Sequence, residues 1–117
     1  MSNAPVNFAK IEEMKQIMGE VFVQLLPAYI DQSDELITAM PELLSSGTMD
    51  VLERNAHSMK SSSLNVGAEA LSDIAKVLED MCRSNENAAQ LKEKVEAITE
   101  EYAKVREVLQ VYLQELS

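Results

Sequence analysis

The sequence predicts an all-α protein, an antiparallel up-and-down four-helix bundle with a short additional N-terminal helix. Three observations carry this. The chain uses helix-forming residues, with only 3 glycines and 3 prolines in 117 residues and 4% aromatic content. No window shows the sustained apolar/polar alternation of a half-buried strand. Apolar residues instead recur at helical spacing in several windows, separated by short polar or glycine-bearing turns.

The last helix is the clearest. Leu91, Val95, Ile98, Tyr102, Val105, Leu109, Tyr112 and Leu116 recur at alternating steps of four and three, which lays one apolar seam along a long helix. Asn87 followed by Gln90 reads as its N-cap and capping partner. The turn Ser84-Asn85-Glu86 separates it from a helix over about 68–83, whose inner face is Leu71, Ile74, Ala75, Leu78, Met81 and Cys82. Gly67 divides that helix from another beginning near Thr48, with Gly47 as stop and Thr48 as cap. Leu52, Ala56, Met59, Ser63 and Val66 form its inner face. Upstream, 19–46 reads as one long helix with Val23, Leu26, Ile30, Ile37 and Leu44 as core residues. Pro27 and Pro41 are expected to kink or interrupt it. A short helix over about 8–18 comes first. Ser2-Asn3-Ala4 resembles a cloning remnant, so 1–6 is expected to be such a remnant or disordered, and 7–117 to be the domain.

Composition excludes several classes of function. Lys and Arg number 10 against 20 Asp and Glu, a net charge of −10, and phosphate backbones repel such a chain, so nucleic acid is not an expected partner. Cys82 is the one cysteine, so no internal disulfide is possible and a cytosolic setting fits. One Cys and one His do not make a zinc site. The most apolar stretch, 21–30, is broken by Gln24 and Pro27 and is too short to span a bilayer, so direct membrane insertion is not expected. No secretory signal is present. Three scattered glycines cannot build a phosphate-cradling loop, so no kinase chemistry of the chain's own is expected.

The single histidine, His57, is the informative residue. With 100° of rotation per residue it points roughly 140° away from the centre of its helix's apolar arc, so it is expected to face solvent. That geometry disfavours a satisfied core histidine and leaves open a surface histidine without a role. Lys60 follows three residues on, close enough to share the same space. Ser61 and Leu64 lie one and two turns above. The run Ser61-Ser62-Ser63 is poor helix stock and leaves a low surface that a bulky partner can approach, or simply permits close helix packing. Glu53, four residues before His57, is a candidate acceptor for the other ring nitrogen. Glu53 and His57 could also supply two metal ligands, but there is no second histidine and no matching Glu-x-x-His on another helix to support this.

The run Ala56-His57-Ser58-Met59-Lys60-Ser61-Ser62-Ser63-Leu64-Asn65-Val66-Gly67-Ala68, followed by Leu71 and Leu78-Glu79, resembles the histidine-containing phosphotransfer (HPt) domain. The motif covers about a fifth of the chain and the helix layout nearly all of it. Through Asn65-Val66-Gly67-Ala68 it is more similar to the relay modules of hybrid sensor kinases than to the chemotaxis-kinase version. Ser61 stands where the family usually has glycine, which adds a side chain beside the imidazole. The resemblance implies a phosphorelay intermediate: His57 accepts a phosphoryl group from the aspartyl phosphate of a receiver domain and passes it to the aspartate of another. It implies Lys60 as the cation for the phosphoryl oxygens, and Ser61, Leu64, Glu53 and Gly67 as partner-side residues. It further implies no cofactor on this chain, Mg²⁺ on the partner receiver, a monomer, and a cytoplasmic location, free or as part of a membrane-bound sensor kinase. The competing reading is a non-catalytic helical scaffold whose last helix pairs with another chain.

Overall fold

The computed structural model describes residues 4–116, and among these every regular element is a helix. α1 spans Phe8–Met18, α2 Glu20–Ser46, α3 Met49–Asn65, α4 Glu69–Arg83 and α5 Ala88–Leu116. α3 packs on α4, α4 on α5, and α5 returns to α2, which also meets α3, so the four longer helices close a ring. α1 lies outside the ring against α2. At 1.5 Å per residue the two longest helices are about 40 Å long, which sets the 43 Å long axis of the molecule.

The seams expected from periodicity meet in one core. Leu26, Leu52, Met59, Leu71, Leu78, Ile98 and Leu109 are all fully buried. Each such side chain contributes about 1.5–3 kcal/mol relative to exposure. Val23 and Leu44, expected in the core, are only half-buried, while Phe22, Tyr29, Ser33 and Met40 of the same helix are buried. The apolar stripe of α2 therefore runs one residue off the expected register at its start. At the far end of α5, Tyr112 is half-buried and Leu116 exposed, so the expected seam reaches the core only as far as Leu109.

Neither Pro27 nor Pro41 interrupts α2, which is continuous through both. Each proline removes one backbone donor, and both sit on the exposed side. Gly47 ends α2 in the left-handed region (φ 73°), with its N–H on the carbonyls of Leu43 and Leu44. Thr48 does not cap α3 through its side chain; its hydroxyl instead bonds Ser46 Oγ at 2.7 Å. Asn87 does cap α5, accepting from the Gln90 N–H at 2.9 Å.

Residues 1–3 of the expected N-terminal remnant lie outside the described residues. Val6, from the remainder of that segment, is 1% exposed and belongs to the core. Asn7 caps α1 and donates its N–H to the Gly67 carbonyl at 2.8 Å. Gly67 sits at φ 80°, and a Cβ there would come within 2.9 Å of the Asn7 carbonyl oxygen. Two independent constraints thus require glycine at this turn.

Gly67→Ala is expected to destabilise the fold by about 2 kcal/mol or more, from left-handed strain plus the clash. Gly47→Ala, which meets nothing within 4 Å, should cost about 1 kcal/mol, from backbone strain alone. Urea denaturation midpoints of the two variants check the order.

Candidate functional site

α3 carries the site on its solvent side. The His57 side chain is 57% exposed, as its position off the apolar seam requires. What holds it comes from the neighbouring helix. His57 Nδ1 lies 2.8 Å from Glu79 Oε2, and Lys60 Nζ donates to Glu79 Oε1 at 2.8 Å. Arg83 Nη2 donates to Glu79 Oε2 at 2.9 Å. Glu79 is itself 2% exposed. A carboxylate buried that deeply must be paired, and three donors from α3 and α4 share it.

These contacts fix the chemistry of the ring. An ionised carboxylate only accepts, so Nδ1 carries a proton and a neutral ring leaves its lone pair on Nε2. Nε2 makes no hydrogen bond with any described residue, and the ring is open to solvent on that side. Burial pushes the Glu79 carboxyl up, but the hydrogen bonds from Lys60 and His57 outweigh it and hold the group below the usual glutamate range.

The platform under the ring is pinned on both sides. Ser63 Oγ and Tyr29 OH meet at 2.8 Å in the core, tying α3 to α2. Ser72 Oγ donates to the Lys60 carbonyl at 2.8 Å, tying α3 to α4. Ser62 turns back onto the Ser58 carbonyl, and Ser61 is exposed. The three serines therefore have three separate environments, and the buried one serves helix packing.

The expected role of Glu53 is corrected. It does not reach the imidazole; its carboxylate accepts from Arg83 Nε at 2.7 Å. Glu79, on another helix, takes the ring nitrogen instead. Lys60 is beside the histidine as expected, but its ammonium is committed to Glu79. Leu64 is 53% exposed, two turns above the ring. Gly67 is buried beneath Asn7 and Lys10, so it shapes the turn and is not a partner-facing residue. No group of three or more His, Cys, Asp or Glu side chains placed to hold a metal ion occurs among the described residues. Burial, then the carboxylates of Glu53 and Glu79, push the Cys82 thiol up, which removes it further from nucleophilic chemistry.

Two features were not assigned from periodicity. Glu79 interrupts an otherwise apolar stripe next to Leu78, and a glutamate at a buried register is itself a signal that a cation lies opposite. Arg83 follows one turn later, at the spacing of a helix ion pair. The second feature is a groove of about 380 Å³ on the far side of α3 from Glu79. Met14 and Met18 of α1, Phe22, Leu25 and Tyr29 of α2, and Val66 line most of it.

The site thus presents an exposed imidazole, oriented through Nδ1, on a helical bundle. The model of the Hpt domain family matches residues 24–116, and the chain belongs to that family. Its role is that of a histidine phosphotransfer intermediate in a two-component phosphorelay, whose partners are response-regulator receiver domains. The fold is similar to the crystal structure of histidine-containing phosphotransfer protein B (HptB) from Pseudomonas aeruginosa PAO1. The TM-score is 0.87 at 24% identity, over 97% of this chain and 98% of that one. No curated protein matches the sequence. No helix among the described residues is long and apolar enough to cross a membrane.

Because Glu79 is held below its ordinary range, its stabilising effect is complete above that range and lost as the pH falls through the folded value. Glu79→Gln is therefore expected to be less stable than wild type near neutrality. The gap should narrow as the pH falls below the ordinary glutamate range, read from denaturant midpoints at each pH.

Proposed function

We propose that His57 is the phosphoacceptor, attacking through Nε2. In the forward step the Nε2 lone pair attacks the phosphorus of a receiver's aspartyl phosphate. The N–P bond forms as the P–O bond to the aspartyl carboxylate breaks, and that carboxylate leaves. No proton has to move, because Nδ1 already carries one and keeps it. The positive charge that develops on the ring faces the Glu79 carboxylate 2.8 Å away. The next receiver aspartate takes the phosphoryl group by the reverse step. The observation that carries this reading is the Nδ1–Glu79 hydrogen bond, which leaves Nε2 as the free nucleophile.

Lys60 contributes by balancing Glu79 and by offering its ammonium to phosphoryl oxygens when the partner docks. Mg²⁺ belongs to the acidic pocket of the receiver, and this chain acts as a relay substrate without ATP chemistry of its own. It works as a cytoplasmic monomer, which a net charge of −10 and a lone, buried thiol support. The receiver rests on the apolar surface beside the ring: Leu64 of α3, exposed Leu25 of α2, and the groove between α1, α2 and α3. Ser61 lies in that footprint, and its hydroxymethyl group sets how closely the partner approaches.

Incubation with a radiolabelled phosphoreceiver is expected to label wild type and not His57→Gln, with acid-labile, base-stable label. Equal labelling of the two proteins would refute the site. Leu25→Glu and Leu64→Glu should each raise the Kd for the receiver about tenfold with unchanged helicity, as measured by titration calorimetry and circular dichroism. Unchanged affinity in both would move the docking surface elsewhere.

A further inference from the structure

The cations beside His57 do not stand on equal terms. Lys60 is bound to Glu79 Oε1, and Arg83 is bound to both Glu79 and Glu53. Two carboxylates and two cations therefore cancel before any phosphoryl group arrives. One further cation shares the cleft. Arg54 lines the same opening of about 430 Å³ as His57, Glu79 and Arg83. It is exposed, and its guanidinium makes no hydrogen bond or ion pair with any described residue. Asp50, one turn before it, is not paired with it.

We propose that Arg54 binds the transferring phosphoryl group on His57, a direct contact that completes the site's positive charge. This rests on His57 as the phosphoacceptor. Arg54 stands three residues before His57 and Lys60 three after, so the two flank the histidine on opposite sides of the helix face. Side chains on a helix lean toward its N-terminus, so the His57 ring lies over the turn that carries Arg54. A planar guanidinium with all its donors unspent can grip two phosphoryl oxygens in its rigid fork, whereas the Lys60 ammonium, with its charge already balanced by Glu79, offers only point contacts. With a neutral ring, the charge left after the two ion-paired cations is that of Arg54, on a chain whose net charge is −10. Arg54 is then what offsets the repulsion between Glu79 and an incoming anion.

Phosphoramidate tests this without a receiver, since its N–P bond breaks as the His57 Nε2–P bond forms and ammonia leaves. Arg54→Ala is expected to slow labelling of His57 about tenfold, the loss of one charge-assisted hydrogen-bonded contact. Arg54→Lys should fall between. The ³¹P resonance of the phosphohistidine should also shift in Arg54→Ala, which a residue that merely supports the fold would not cause. Equal rates and an unchanged resonance would overturn the assignment. A loss seen only with a phosphoreceiver as donor would overturn it too, making Arg54 a partner contact. Label in wild type that persists in His57→Gln would instead remove the phosphoacceptor assignment on which this rests.

Discussion

The Glu79 carboxylate is the interaction on which the site depends. An unpaired carboxylate at 2% exposure would cost several kcal/mol. It is tolerable because His57, Lys60 and Arg83 all donate to it. The same bonds that make its burial possible join α3 to α4, select the proton position on the imidazole and aim Nε2 at solvent. Structure and chemistry are therefore the same set of contacts here. Removing the carboxylate would loosen the helix pair and free the ring together.

The rest of the bundle supplies rigidity to that arrangement. Ser63 and Tyr29 fix α3 on one side, and Ser72 fixes it on the other through a main-chain carbonyl. Val6 and Asn7 close over the α3–α4 turn at Gly67, where a side chain would not fit. An in-line transfer of the kind proposed for His57 would gain from a ring already held in place. The opposite long pair, α2 and α5, has its own pin. Tyr102 donates to the Ile30 carbonyl and to Asp34, and Arg106 also binds Asp34. Asp34 is held low chiefly by the Tyr102 hydrogen bond, and burial pushes the Tyr102 phenol up. This polar cross-link ties α2 to α5 away from the histidine.

Electrostatics separate the site from its surroundings. The chain is strongly acidic, yet the helix face at His57 gathers Arg54, Lys60 and Arg83 against Glu53 and Glu79. Under the proposed reading, that local balance is what would meet one phosphoryl group delivered by a docked receiver.

Much of this was legible in the residues. Helix spacing alone located five helices, the turns at Gly47 and Gly67, and most of the core, because each seam repeats many times within one element. It also placed His57 off the seam with Lys60 beside it, since both lie on one helix three residues apart. The long-range choices were decided only in three dimensions. Whether Glu53 or Glu79 receives the ring nitrogen depends on how α4 rotates against α3, and a carboxylate four residues away is no nearer than one 22 residues away once the helices pack. That Gly67 is sealed beneath Asn7, and that Lys60 is already spent on a carboxylate while Arg54 is not, follow from the same cause. Periodicity reports which face a side chain occupies; the partner it meets there belongs to another helix.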